Sequence, residues 1–170
     1  MSHNLIIRPV RTDEAPYAKS LVFQVAHELM EPETPLEEFK ALWDSWGVFN
    51  DMHDVQASYL ENGGVFLVSE LDGHVVGTGA FLRYEAEGYC ELKRIALLPA
   101  YRGQGIGYAL LLELLDQARA MGYTKAILWT NRYKLARAVA FYRQIGFAEV
   151  PHAGADEDEI WMEMPIAQPS

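Results

Sequence analysis

The chain has 170 residues, half of them hydrophobic, with 24 Asp and Glu against 14 Lys and Arg, a net charge of −10. That length suits one domain with a sizeable core rather than two, and the expected unit is residues 1–170, with about 4–165 as its ordered part. The acidic balance excludes a general nucleic-acid binder and a protein docked on an anionic membrane, and the lone Cys90 excludes a disulfide framework and a cysteine-rich zinc site.

Leu5–Arg11 reads as a short strand running into a helix start at Thr12-Asp13. A helix over Ala15–Met30 follows, with Leu21, Val25, Ala26 and Leu29 at helical spacing. The Pro32–Pro35 segment breaks it. Leu36–Trp46 reads as a second helix, with Leu36, Phe39, Leu42, Trp43 and Trp46 along one side. A third, short one covers Asp51–Glu61 and is closed by Asn62-Gly63-Gly64. The period then changes. Val65–Glu70 and His74–Arg83 form two strands around Asp72-Gly73, a hairpin signal. Tyr89–Leu97 is a third strand, Ile106–Met121 a helix closed by Gly122, and Lys125–Thr130 a strand. Tyr133–Ile145 is a helix closed by Gly146, and Phe147–Val150 and Glu159–Met164 are final strands. Only Ile166–Ser170 looks like a loose tail. The order predicts an α/β protein of the α+β type: a mixed, mostly antiparallel sheet with one strand-helix-strand unit running parallel. The first ten residues carry no apolar signal core, and Ile106–Leu115, the longest apolar stretch, is far short of the ~20 residues a membrane helix needs. The expectation is a cytoplasmic protein.

The charge is segregated. Residues 26–63 hold nine acids and one base, residues 149–164 six acids and no base, and residues 83–143 ten bases and five acids. Read as ordinary solvated surface, this carries no function. Read as subsites, it places an anionic ligand on the middle segment and a cationic one near the acidic segments.

The most informative segment is Glu91–Leu115. After the strand ends at Leu97, Leu98-Pro99-Ala100-Tyr101 leads into Arg102-Gly103-Gln104-Gly105-Ile106-Gly107 and a helix. Glycine at every second position lets several backbone N–H groups face one point, with the positive end of a helix behind them: a phosphate site. It is not a P-loop, because Gly107 is followed by Tyr108-Ala109 where Lys and Ser/Thr are needed. Nor is it a dinucleotide fingerprint, whose third glycine falls on Tyr108 or Leu110.

What remains, Arg-x-x-Gly-x-Gly between a strand and a long helix, resembles the acyl-CoA signature of the GCN5-related N-acetyltransferase (GNAT) superfamily. Glu91-Leu92-Lys93-Arg94-Ile95-Ala96-Leu97-Leu98-Pro99 looks like that family's fourth strand and its exit. Ala138-Val139-Ala140-Phe141-Tyr142-Arg143-Gln144-Ile145-Gly146-Phe147 looks like its second motif. The resemblance covers about residues 64–150 and implies a sheet of six or seven strands flanked by helices, with a splayed parallel pair forming the CoA cleft. It further implies acetyl-CoA as co-substrate, no metal, and transfer of the acetyl group to a primary amine of a small molecule or peptide by direct attack in a ternary complex. The backbone of Ile95, Ala96 and Leu97 would pair with pantetheine. The amides of Arg102, Gly103, Gln104, Gly105, Ile106 and Gly107 would hold the pyrophosphate. Tyr142 would protonate the departing thiolate; otherwise it is a buried aromatic of an amphipathic helix. Glu91 would be the general base, its charge held by Lys93 on the same strand face, or else one half of a surface pair with that lysine.

The family's helix asparagine is replaced by Leu135; Asn131, one turn earlier, either takes its place against pantetheine or caps the helix. His27 beside Glu28 is an acceptor-site candidate, the aromatics Phe39, Trp43, Trp46 and Phe49 read as core, and Cys90 reads as a small core residue. The acidity of residues 26–63 favours a cationic acceptor. Monomer and homodimer both stay open, and a CoA-binding module without turnover is the alternative to an enzyme.

Overall fold

The computed structural model describes residues 3–166. Seven strands form one sheet in the order β1-β2-β3-β4-β5-β7-β6. They are β1 (Leu5–Pro9), β2 (Val65–Leu71), β3 (His74–Arg83), β4 (Tyr89–Leu97), β5 (Lys125–Asn131), β6 (Ala148–Val150) and β7 (Glu159–Pro165). Every neighbouring pair is antiparallel except β4 and β5. Five helices flank it: α1 (Ala15–Met30), α2 (Leu36–Ser45), the single turn α3 (Val55–Ser58), α4 (Ile106–Ala120) and α5 (Ala136–Ile145). The expected mixed, mostly antiparallel α/β architecture is the observed one.

Alternation along the strands splits the core in two. Leu67, Phe81, Leu92, Ala126 and Leu128 meet Leu110, Leu111, Leu114 and Leu115 of α4 and Val139 of α5 on one face. Phe66, Ala80 and Ala96 meet Val22 and Phe23 of α1, Phe39 of α2 and Phe49 on the other. Burial of a leucine in such a layer is worth about 2 kcal/mol, so each strand's register is set by which face its apolar residues can reach.

Four expectations need correction. The segment 51–61 is not one helix but a 3-10 turn at Asn50–Met52, the single turn α3, and a second 3-10 turn at Leu60–Asn62. The Asp54 side chain caps α3 by accepting from the Ala57 amide, and four residues later Gly63 takes a φ of 71° that ends the run. The last major helix begins at Ala136 rather than Tyr133, because Asn131 caps a preceding turn and not the helix itself. Trp46 is 62% exposed just past the end of α2, outside the core. Ile166 is no loose tail: it is buried, and its amide donates to the Thr124 carbonyl; residues 167–170 lie outside the described part.

The feature that makes a site is the parting of β4 and β5. Their parallel pairing runs from Tyr89↔Lys125 to Glu91↔Ile127 and stops. Beyond it β4 stays with β3, and β5 stays with β7 as far as Asn131↔Glu159. The physical cause lies in β4. Between Lys93↔Ala80 and Ala96↔Thr78 it carries one residue more than β3, a bulge that bends the strand. Arg94 occupies it with a φ of 57°, a left-handed conformation a non-glycine residue adopts only at a cost.

The bulge is clamped from both sides. The Arg94 carbonyl accepts from Thr78 Oγ1 at 2.6 Å. The guanidinium donates to Asp51 through Nε (2.9 Å) and Nη2 (2.6 Å) and to the Val48 carbonyl (3.0 Å), and it lies 4.7 Å from the Phe49 ring centroid. Tyr59 donates its hydroxyl to the same Asp51 carboxylate. Burial pushes Asp51 upward, but the Arg94 bonds and charge and the Tyr59 hydroxyl outweigh it and hold the carboxyl below its ordinary value. Arg94→Met, which strands Asp51 inside the fold, is expected to cost about 3–5 kcal/mol in a urea titration. The pair's contribution is present above the ordinary carboxylate range and is lost as pH falls through the depressed value. The Met variant's deficit relative to wild type should therefore shrink as pH falls, starting where the buried, unpartnered Asp51 takes up its proton and closing only below the depressed wild-type value; a deficit independent of pH would show that the charge pair is not its source.

Candidate active site

A cavity of about 450 Å3 fills the wedge between the parted strands and reaches under α1 and α2. Five of the residues singled out from sequence line it: Glu91, Ile95, Ala96, Asn131 and Tyr142. Leu97, the last residue of β4, and the loop Arg102–Gly107 beyond it lie outside this lining. The β4 edge that faces β5 carries no strand partner after Glu91. Its N–H and C=O groups from Leu92 to Leu97 are those an extended ligand would pair with.

Glu91 sits on the α1 side of β4, where the wedge opens. Burial pushes its carboxyl up; the charges of Lys93, Arg94 and His152 pull it back, and burial wins. The expectation that Lys93 holds Glu91 ionised is therefore met in sign and overruled in magnitude. A carboxylate with a raised pKa is a stronger base than a solvated one. Tyr142 of α5 enters from the opposite face, 7% exposed, with its ring edge-on to Phe147. Burial raises its phenol, so it keeps its proton throughout the neutral range. Its hydroxyl makes no hydrogen bond among the described residues and is available as a donor.

Asn131 ends β5, and its Oδ1 accepts from the Tyr133 (3.0 Å) and Lys134 (2.8 Å) amides. The capping alternative is what the geometry shows. Its side-chain NH2, at the cavity wall, has no partner among the described residues.

The glycine loop follows a 3-10 turn at Pro99–Tyr101. Gly103 (φ 79°) and Gly105 (φ 80°) need positive φ, and Gly105 caps α4. Gly107 is different: it lies in the first turn of α4 in ordinary helical conformation, and a Cβ there would meet nothing within 4 Å. Neither backbone nor packing asks for glycine at 107, whereas a ligand lying against the helix start would. The first turn of α4 contains no acidic residue, so the positive end of the helix is uncompensated. Ile106 turns its own side chain into the core with Val76 and Leu71 and can offer only its backbone. Gln104 lies on the surface, its amide nitrogen 3.5 Å from the Ala100 carbonyl. Arg102 is already engaged: it forms a two-pronged pair with Glu28 of α1 (3.0 and 2.9 Å) and donates to the Leu97 carbonyl at 3.2 Å. Its side chain ties the loop to α1 and to the end of β4.

The remaining candidates separate cleanly. His27 bonds to the Thr34 carbonyl and packs edge-on to Phe39, tying α1 to the α1–α2 connection rather than facing the cavity. Cys90 is buried in the core, its thiol pushed up to about 12 by burial, and is no nucleophile. No group of three metal-ligating side chains is found among the described residues, and no helix there is long and apolar enough to cross a membrane. The Arg94–Asp51 clamp leaves no mark in the sequence. A basic residue in a strand gives no sign of positive φ, and its partner lies 43 positions away.

The parallel pair parts within a mixed sheet, and a glycine-rich helix start follows beyond the end of β4. The profile of the Acetyltransferase (GNAT) family matches residues 23–147, and the chain belongs to that family. Among its relatives, the uncharacterized N-acetyltransferase YjgM of Escherichia coli K12 is 33% identical over 105 residues, 61% of this chain and 62% of that protein. The IAA acetyltransferase of Azospirillum brasilense is 40% identical over 105 residues, 59% of this chain and 67% of that protein. The matched stretch is thus under two thirds of the E. coli relative's length. Two solved structures share the fold along nearly the whole chain. A GNAT-family acetyltransferase from Staphylococcus aureus Mu50 has a TM-score of 0.78 at 18% identity, covering 96% of this chain and 100% of that one. The PaiA N-acetyltransferase of Thermoplasma acidophilum, solved in complex with coenzyme A, has a TM-score of 0.76 at 19% identity, covering 95% and 99%.

Proposed function

We propose that this chain transfers the acetyl group of acetyl-CoA to a primary amine of a small molecule or peptide, by direct attack while both substrates are bound. The observation that carries this reading is that Glu91 and Tyr142 reach one cavity from opposite faces of the sheet, at the point where β4 and β5 part. The loop amides of Arg102–Gly107 hold the pyrophosphate. The free edge of β4 at Ile95–Leu97 pairs with the pantetheine arm, and the Asn131 amide group is in place to add to it. The thioester then lies in the wedge, between a base and an acid.

An alkylamine with a pKa near 10 arrives mostly as ammonium. Glu91, raised by burial, takes that proton directly or through a water, and the freed nitrogen adds to the thioester carbonyl. As the C–S bond breaks, the thiolate receives the Tyr142 proton, the nitrogen sheds its second proton, and the phenol is restored by that proton through solvent. A covalent acetyl-enzyme has no support: Cys90 is buried and held protonated. Much of the acceleration comes from orientation, as in any site that turns a two-substrate encounter into one bound geometry.

Tyr142→Phe is expected to lower kcat by about 10²-fold while the acetyl-CoA Kd, read by calorimetry, stays within about twofold, since only the hydroxyl is lost. A kcat equal to wild type under conditions where chemistry limits turnover would remove Tyr142 from the mechanism.

A further inference from the structure

The charge segregation of the sequence pointed to a cationic acceptor, and the cavity says otherwise. None of the nine acids of residues 26–63 lines it; that segment contributes Ala26, Leu29, Met30, Trp43, Val48 and Phe49. Glu28 is spent on Arg102, Asp51 on Arg94 and Asp44 on Lys19. The charged residues that do line the cavity are Glu91, Lys93, Arg94 and Glu159. Arg94 is neutralised by Asp51, and Glu159 accepts from Trp161 Nε1 at 3.3 Å. Glu91 and Lys93 alone have neither a hydrogen bond nor an ion pair among the described residues. They are two positions apart on one face of β4, which spaces their Cα atoms by about 7 Å. They do not pair with each other, and apart from Thr130, Asn131 and Tyr142 the remaining wall, including Val22, Leu29, Trp43 and Trp129, is apolar.

An unpaired carboxylate and an unpaired ammonium side by side in an apolar cavity form a template for a molecule of complementary, opposite charges. We infer that the acceptor is a zwitterion of the α-amino-acid type with an apolar or aromatic side chain: its ammonium goes to Glu91, its carboxylate to Lys93 and its side chain to the apolar wall. This rests on the acetyl-transfer reading above and adds Lys93 as the residue that sets acceptor specificity. The chemistry balances: the ammonium gives one proton to Glu91, nitrogen bonds to the acetyl carbon as the C–S bond breaks, sulfur leaves as the CoA thiol with the Tyr142 proton, the second N–H proton makes good that of Tyr142 through solvent, and Glu91 returns its own to solvent. The acceptor's carboxylate takes no part and serves only as the handle. Once acetylated, the nitrogen is neutral and no longer matches Glu91, which favours product release.

The test compares phenylalanine with phenylalanine amide, with phenethylamine, which lacks the carboxylate, and with spermidine, using thiol release from acetyl-CoA. The free acid's amine is intermediate in basicity between the amide and phenethylamine, so intrinsic reactivity cannot rank it first. Wild type is expected to show a kcat/KM for phenylalanine about tenfold or more above those for phenylalanine amide and phenethylamine, the worth of one charge-assisted bond. In Lys93→Met that ratio should fall to near one, and Lys93→Arg should keep most of it. A wild-type preference for spermidine or phenethylamine, or a ratio unchanged in Lys93→Met, overturns the inference while leaving acetyl transfer intact. Absence of thiol release with every amine overturns acetyl transfer and the zwitterion with it.

Discussion

Replacing Gly107 with glutamate is expected to stabilise the free protein and, in the same molecule, to weaken acetyl-CoA binding by about a hundredfold. The two effects have separate causes. In the first turn of α4 the new side chain enters open space. It replaces the poorest helix former short of proline, a gain of about 0.5–1 kcal/mol, and its carboxylate sits at the positive end of a helix that has no acid there, a further ~0.3–1 kcal/mol. In the proposed site the same carboxylate would take the place of the pyrophosphate and repel it, and loss of even two charge-assisted bonds at about 1.5 kcal/mol each amounts to two decades. Thermal unfolding and calorimetric titration read the two halves separately. A stabilised variant with wild-type affinity would place the phosphates elsewhere. Gly105 is the poorer probe, because a side chain there would also strain a φ of 80°.

Glu91→Gln carries the second large effect. It is expected to lower kcat by about 10²–10³-fold, the range for removing a general base, and to raise the melting temperature at neutral pH. The sign follows from burial. The Glu91 carboxyl is raised in the folded chain and ordinary in the unfolded one, so its ionisation opposes folding. That penalty is absent below the ordinary carboxylate range and grows as pH rises through the raised value. Glutamine removes it. The stability gain over wild type should therefore vanish in acid, and the acidic limb of the wild-type kcat–pH profile should be missing from the variant. A variant as active as wild type would mean the amine loses its proton elsewhere, with Glu91 only a buried charge.

The elements were legible because their periods are. The alternation of Val65–Arg83 around Asp72-Gly73 and the helical spacing of Ala15–Met30 and Ile106–Ala120 leave few other ways to bury those side chains. The anion site was legible because backbone amides need glycine and a helix start, and both are written locally. The wedge was expected only from family resemblance. Its physical cause, a bulge at Arg94 held by Asp51, joins two segments whose proximity exists only after folding. Composition does not reveal the cavity wall for a similar reason. A segment's net charge does not say which of its residues face a cavity, and the acids of residues 26–63 turn outward or pair with Lys19, Arg94 and Arg102.

The central claim is that the cavity joins acetyl-CoA to an amine rather than merely holding the coenzyme. It is tested most directly by incubating the wild-type chain with acetyl-CoA and a panel of amines and quantifying free CoA and acetylated amine together, with the intact mass of the protein as control. The expected result is amine-dependent release of CoA, one equivalent per acetylated amine, with the protein itself unmodified. Calorimetric binding of acetyl-CoA without release by any amine would contradict it and leave a CoA-binding module in place of an enzyme.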